Sequence, residues 1–567
     1  MNDQVRAVIF VLLALLILFA WGHFYKPPAP APTGAAISQN SSNPVPQGQP
    51  TAESLRSAAG AKAEESKPAA SVAAVQAAQE KTVVVDSPLY RVEFSNRGAV
   101  ARSWKLKKYL TDQKPPRPLE LVNEDAAKQL GWPFSLVLEN KELEAQANSG
   151  LYEIVPAAGA SLQAPADLTF HWNDGHLDVV KKLSFSANYE LKVECTAALD
   201  GKAIPVAIAW RGGFGDREVY NAAQLVTVFY DQNGKLNLLQ YKKLGVSGNQ
   251  AQPALQSGPL AYLGIEDQFF TAAFLPDGTN LSLWHWMQNH DVPSEGKTVA
   301  EPVAEMAAGT TEPAPLRARI FVGPKDLTLL SKLNPPLEDL VQFGWTGIIA
   351  KPIFDILKWI YKFVPNYGWA IVILTLIINM AIFPLKMKSW RSMQKMQKVA
   401  PEVRQIQDRY KKYSMSDPRK KKMNEEVMAV YSREGINPMG SCLPMLFQMP
   451  IWWALWRVLN GAIELRHAPW IGWIHDLSAK DPYYILPIAM TITMYLTTKM
   501  TPQTTTDPSQ QKMMQFMPLF MGIIFFRLSS GLNLYMFTSN LVGMGQQYYL
   551  NRSEPLPSRS KFKKKNE

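Results

Sequence analysis

Residues 367–385 read YGWAIVILTLIINMAIFPL, and this stretch decides the fold. An apolar run of about 18 or more residues suits a membrane-spanning helix, because about 20 residues at 1.5 Å rise cross the hydrocarbon core. Asn379 stands inside the run. An amide facing lipid is costly, so such a group turns toward the inside of a helix bundle. Four more apolar stretches follow, at roughly 440–463, 483–499, 513–528 and 532–550, with Gln448 in the first and Thr538, Ser539 and Asn540 in the last. The expectation is a small membrane bundle, 366–550, with a polar interior where any function should lie.

Charge sets the orientation. The chain has 567 residues and a net charge of +11, with the excess concentrated in two places. Residues 386–438 hold fourteen Lys or Arg against six Asp or Glu, and 552–567 hold six against two. Basic loops mark the cytoplasmic side of a membrane protein, so both segments are expected in the cytoplasm, with four crossings between them. Val5–Phe24 is a further apolar run, read as an uncleaved anchor (1–25) that exports residues 26–365. Six spans with both termini cytoplasmic is the consistent topology.

Residues 26–80 are rich in Pro, Ala, Ser and Gln, which bury too little surface to offset ordering entropy, and read as a flexible linker. From 81 to 335 β signals take over. Thr82–Asp86 and Tyr90–Phe94 are short β-prone runs, and Asp174-Gly175 is read as separating strands 177–185 and 188–198. Asn233-Gly234 between two apolar runs is the strongest hairpin signal. A large β-sandwich domain outside the cytoplasm is expected. Residues 348–364 place Ile349, Ile353, Ile356, Leu357, Ile360 and Val364 on one helical face, with Lys351, Asp355, Lys358 and Lys362 on the other. That pattern suits a helix in the membrane interface, or an amphipathic helix buried on the β-domain. The segment 386–438 reads as two helices forming a cytoplasmic hairpin. One is lined by Met393, Met396, Val399, Val403, Ile406 and Tyr410, the other by Met423, Val427, Val430 and Tyr431. Its charge, including Arg404, Arg409, Lys420 and Lys421, serves orientation, acidic headgroups or ribosomal RNA.

Several chemistries are disfavoured. The seven histidines all lie outside the span centres, so a serine nucleophile in the bundle has no imidazole base. Gly296-Lys297-Thr298 ends like a phosphate-binding loop, but Asp291 stands where its first glycine belongs. Cys195 and Cys442 are too far apart for a zinc spacing. Carboxylates are absent from mid-span positions, which argues against an ion-coupled transporter or channel, the best competing reading.

Glu434-Gly435-Ile436-Asn437-Pro438-Met439-Gly440-Ser441-Cys442-Leu443-Pro444, then Gln448-Met449-Pro450-Ile451, resembles the signature of the YidC/Oxa/Alb membrane protein insertases. Trp473-Ile474-His475-Asp476-Leu477-Ser478, Asp481-Pro482-Tyr483-Tyr484 and Thr506-Asp507-Pro508 continue the likeness. The resemblance is to the Gram-negative bacterial form, and it implies a periplasmic β-supersandwich and a five-helix core around a hydrophilic groove open to cytoplasm and lipid. The groove positions it implies are Thr375, Asn379, Gln448, Trp452, Met490, Tyr535, Met536, Ser539 and Asn540. It implies no catalytic residue, metal, cofactor or DNA, and no ATP use by the chain itself. The implied partners are nascent membrane proteins, membrane lipids, the Sec translocon, ribosomes and the signal-recognition receptor; within the basic tail (551–567), Lys561–Lys565 reads equally as a ribosome contact or as an orientation signal. The family usually carries Arg where this chain has Asn379. Arg457 and Arg527 lie near the outer span ends and read as snorkelling to the interface, so the groove is expected to work mainly by hydration.

Overall fold

The computed structural model describes residues 74–156, 161–219, 222–240, 253–294, 297–414, 417–436, 443–501 and 508–553. The expected anchor, most of the linker and nearly all of the basic tail lie outside these residues. The chain divides into two compact units, Met1–Ala69 with Thr505–Met514, and Ala70–Thr504 with Gln515–Glu567. Of the first unit only the opening turns of one helix are described. Apart from those turns, the second unit holds everything discussed below.

Its N-terminal part is built from three sheets. Thr82–Asp86, Tyr90–Ser95, Val100–Leu110 and Pro118–Glu120 form consecutive antiparallel pairs, and Ser161–Gln163 joins parallel to the first. A ten-stranded sheet runs from Lys235–Gln240 at one edge to Glu153–Val155 at the other. The third sheet is dominated by a long hairpin, Ser282–Ser294 with Lys297–Gly309. Asn233 and Gly234 both adopt positive φ, 58° and 72°, where Thr227–Gln232 turns back as Lys235–Gln240. Asn-Gly is the pair that tolerates this turn, whose twist matches the flanking strands. The Asp174-Gly175 turn needs correcting. It joins Leu177–Phe185 to Ala166–Asn173, a strand the sequence reading missed, whereas Leu177–Phe185 and Glu190–Leu199 are linked by residues 186–189.

Period-two alternation explains an unusual core residue. In Leu177–Phe185 the inward positions are Leu177, Val179, Lys181, Leu183 and Phe185. Lys181 is fully buried, and burial pushes its ammonium down to about 8. It donates to the carbonyls of Gly98, Ala99 and Phe134 at 2.8, 3.1 and 2.8 Å. All three acceptors lie at positive φ (73°, 49° and 69°). The left-handed backbone belongs to the residues whose carbonyls receive the buried cation, which satisfies its desolvated donors.

The C-terminal part is helical: α1 (Gly347–Phe363), α2 (Tyr367–Arg409), α3 (Pro418–Arg433), α4 (Leu443–Gly461), α5 (Ile485–Met500), α6 (Pro508–Phe525) and α7 (Ser530–Ser553). α7 packs between α5 and α2, and α4 packs against α1 and α2. The hairpin reading is corrected in one respect. The apolar run at 367 and the first hairpin helix are one continuous 43-residue helix, α2, which carries Pro384 and Pro401 in its interior. Among the described residues, α2 alone is both long and apolar enough to cross a membrane by those two criteria. α5 has only 16 residues, and part of α4 and α6 falls on residues outside the described side chains.

The apolar row of α1 is also placed differently. Ile353, Leu357 and Ile360, with Ala350 and Phe354, are buried, and α1 packs on α4 and α2. The side chains left exposed are Ile348, Ile356, Trp359 and Phe363, interleaved with Lys351, Lys358 and Lys362. The helix is therefore apolar on two sides.

Long-range polar contacts join the β-rich part to the loop that follows α4 and to the C-terminal end of α4. Arg466 Nε donates to Asp216 Oδ2 at 2.7 Å, Arg466 Nη1 to the Leu110 carbonyl at 3.0 Å, and Gln268 Nε2 to the Asn460 carbonyl at 2.8 Å. Gly368 opens α2 against Trp470, where a Cβ would fall 2.2 Å from the ring. Only glycine admits that approach.

Candidate functional site

Ile371, Thr375 and Asn379 recur at four-residue spacing along α2 and are all buried. That spacing stacks side chains on one helical face. The Thr375 hydroxyl donates to the Ile371 carbonyl at 2.6 Å, within its own helix. Asn379 Nδ2 donates to the Thr375 carbonyl at 2.9 Å and to Ser539 Oγ of α7 at 3.2 Å.

Two helical turns further on, Lys386 extends back to the same amide. Its Nζ donates to Asn379 Oδ1 at 2.9 Å and to Gln546 Oε1 of α7 at 3.1 Å. Gln546 Nε2 in turn donates to the Asn379 carbonyl at 3.2 Å. Asn379, Lys386 and Gln546 thus close a hydrogen-bonded ring, with Ser539 attached. The cation is held by neutral acceptors, and no carboxylate among the described residues pairs with it. A half-buried ammonium without a counter-ion keeps a strong attraction for an incoming anion, because its field is screened less than in water.

Two further polar contacts complete the interior. Gln448 Nε2 of α4 donates to the Tyr535 hydroxyl of α7 at 2.9 Å. Asn540 Nδ2 approaches the Met490 carbonyl at 3.4 Å and Thr493 Oγ1 at 3.5 Å, both on α5. Of the nine expected groove residues, Thr375, Asn379 and Ser539 come together around α2 and α7, Gln448 meets Tyr535, and Asn540 meets Met490. Trp452 is half-buried, and its indole N–H has no partner among the described residues. Met536 is half-buried against the core. Arg457 and Arg527 are both exposed and outside this network; Arg457 lies over the Trp456 ring at 5.3 Å.

The sequence reading missed Lys386, Gln546 and Thr493. Lys386 was assigned to the basic hairpin, yet its position seven residues after Asn379 puts it on the same face of a continuous helix. That spacing was the available signal.

The hairpin has its own small core. Met396, Val399, Val403 and Ile406 of α2 meet Val430 of α3 and Ile436, flanked by Tyr410, Met423, Val427 and Tyr431. Met393 lies outside this cluster. Arg409 pairs with Glu426 at 3.2 Å, and Arg433 with Glu402 at 2.7 Å. Arg404 and Lys421 are exposed and Lys420 is partly so, which leaves a basic outer surface.

Outward-facing apolar side chains surround the bundle: Leu376 and Ile377 on α2, Leu446, Phe447 and Trp453 on α4, Ile488, Ile492 and Leu496 on α5, and Phe516, Phe520, Ile523 and Ile524 on α6. Exposed surface of this extent suits contact with lipid or protein, and not with water.

Comparison with known proteins gives consistent matches. The family described as 60Kd inner membrane protein matches residues 359–557, and the family described as YidC periplasmic domain matches residues 82–356. The membrane protein insertase YidC of Wolinella succinogenes is 31% identical over 98% of this chain and 96% of its own length. That of Methylobacillus flagellatus is 30% identical over 97% of each. Among solved structures, an active YidC insertase with its first transmembrane domain resolved is 18% identical, with a TM-score of 0.34, covering 84% of this chain and 94% of that one.

Proposed function

This chain belongs to the YidC family of membrane protein insertases, and on that premise we propose that it integrates newly made proteins into the bacterial inner membrane through a hydrated groove built on Asn379, Lys386, Ser539 and Gln546. The family is one of insertases and not of enzymes. The observation that carries the reading is the hydrogen-bonded ring joining Asn379, Lys386 and Gln546 within a bundle whose outer surface is apolar.

Six spans place both termini and the α2–α3 hairpin in the cytoplasm and residues 26–365 in the periplasm, as a β-supersandwich behind its anchor. The hairpin and the C-terminal tail supply basic surface for acidic headgroups and for ribosomes. α1 lies at the outer interface, with Trp359 and Phe363 toward lipid and Lys358 and Lys362 toward headgroups. The Sec translocon and the signal-recognition receptor act with it on part of its substrates.

The mechanism is a partition. A polar flank that must cross about 30 Å of hydrocarbon finds hydrogen-bonding partners part-way in Asn379, Ser539, Gln546, Gln448 and Tyr535, so the dry path shortens. Lys386 draws acidic residues of the flank into the groove; its backbone lies about 10 Å along α2 from Asn379, but its side chain reaches back to place the ammonium 2.9 Å from the Asn379 amide. The apolar segment then leaves sideways, and its burial at about 25 cal/mol per Å² drives insertion without ATP. Photocrosslinkers at Asn379, Gln448 and Met536 should capture a ribosome-stalled membrane protein. Capture from lipid-facing Ile377 but from none of those three would refute the groove.

A further inference from the structure

Where the β-rich part meets the loop after α4, three potential ligand atoms converge from three segments. One carboxylate oxygen each of Asp112 and Glu218 and one ring nitrogen of His467 lie within 4.8 Å of one another. His467 Nε2 is 2.8 Å from Asp112 Oδ1 and 3.9 Å from Asp476 Oδ2. Glu218 Oε2 accepts from the Asp112 backbone N–H at 2.7 Å, which fixes the two acidic segments side by side.

The same four residues line a cavity of about 430 Å³. Ser529 also lines it, 5% exposed, with a hydroxyl that has no hydrogen-bond partner among the described residues. A buried hydroxyl without a partner marks a position for a ligand or a ligand-bound water. Arg466, beside the cluster, pairs with Asp216 at 2.7 Å and lies 4.0 Å from Glu218 Oε2, and Lys480 and Arg527 also line the cavity. Four carboxylates, Asp112, Asp216, Glu218 and Asp476, still outnumber these three cations along the cavity wall.

We propose that Asp112, Glu218 and His467 form a binding site for a divalent transition-metal ion, which ties the β-rich domain to the external loop of the helical core. One imidazole nitrogen with two carboxylate oxygens is a donor set for zinc-like ions, and the imidazole disfavours calcium and magnesium. A tetrahedral ion with ligands at about 2.1 Å requires about 3.4 Å between ligand atoms. Asp112 and Glu218 are both exposed side chains, so their carboxylates can adjust to that spacing, Asp112 opening slightly from its 2.8 Å contact with His467. The fourth position is left to water or to Asp476, whose Oδ2 lies 3.9 Å from the same ring nitrogen.

The test uses the full-length protein without a histidine tag, stripped with chelator in detergent micelles. Equilibrium dialysis against Zn²⁺, read by elemental mass spectrometry, should retain one ion per chain, and Ca²⁺ should not compete. His467→Ala should lose that ion, and Asp112→Asn with Glu218→Gln should weaken retention by at least about tenfold. The latter pair removes charge from side chains that reach solvent, so it decides the matter should His467→Ala fail to fold. No retained ion in the parent, or unchanged retention in the folded variants, overturns the proposal.

Discussion

Arg466 and Asp216, 250 residues apart in the chain, meet at 2.7 Å with side chains only 4% and 1% exposed. The pair belongs to two parts with different architecture, one sheet-rich and one helical. A buried pair is weak evidence for net stabilisation, but removing one partner leaves the other charge buried and uncompensated.

Asp216→Asn should therefore destabilise the protein by about 3–5 kcal/mol. Replacing both residues by apolar ones of similar size should cost much less. Thermal unfolding of the purified protein measures both, and a double variant as unstable as the single would contradict the desolvation argument.

Lys386→Gln should slow insertion of a substrate with acidic flanks by about fivefold or more, and Lys386→Arg should retain most of the rate. At an effective dielectric near 20, two unit charges 4 Å apart interact by about 4 kcal/mol, which is an upper bound for the loss. Reconstituted vesicles with two substrates, one acidic and one neutral in its flank, provide the measurement. Equal loss on both substrates would assign Lys386 to structure and remove it from recognition.

Gln448 and Tyr535 offer a test of the polar interior itself. A double-mutant cycle of Gln448→Ala and Tyr535→Phe should return a coupling of about 0.6 kcal/mol, the usual size for a hydrogen bond between membrane helices. Additive effects would mean that the two side chains do not interact in the bilayer.

Glu305 in the β-rich part carries a pH prediction. Its carboxylate accepts from the Gly212 N–H at 2.7 Å and from the Trp286 indole, and burial pushes it up from 4.5 to about 7. Because the folded value is raised, its contribution to stability is complete below about pH 4.5 and is lost as pH rises through about 7. Glu305→Gln cannot ionise, so its stability relative to the parent should improve between pH 5 and pH 8, by up to about 3 kcal/mol. Denaturant melts at both values test this; a parent–variant difference independent of pH would show that Glu305 does not titrate there.

Parts of this molecule are written locally. Asn233-Gly234 specifies its turn because few residue pairs accept two consecutive positive φ values. The amide of Asn379 within an apolar run announces an inward-facing polar group, whichever helices turn out to surround it. The hydrophobic lining of the hairpin, Met396 to Tyr431, follows from helical period alone.

Other features needed the folded chain. Lys181 looks like a surface lysine until the register of Leu177–Phe185 fixes which face it occupies, and only the neighbouring loops supply its three carbonyls. Lys386 looks like loop charge until α2 proves continuous and α7 brings Gln546 beside it. The apolar row of α1 is legible, but that it is spent on α4 and α2, leaving Trp359 and Phe363 exposed, is not.

The sequence by itself determined the division into a sheet-forming half and a helical half, the basic segments and the polar positions inside apolar runs, because each depends on spacing between neighbours in the chain. Only the tertiary structure decided which amide meets which cation and which carboxylates gather at His467. Those choices depend on how elements hundreds of residues apart rotate and pack, and burial in a shared core, rather than local propensity, sets that rotation.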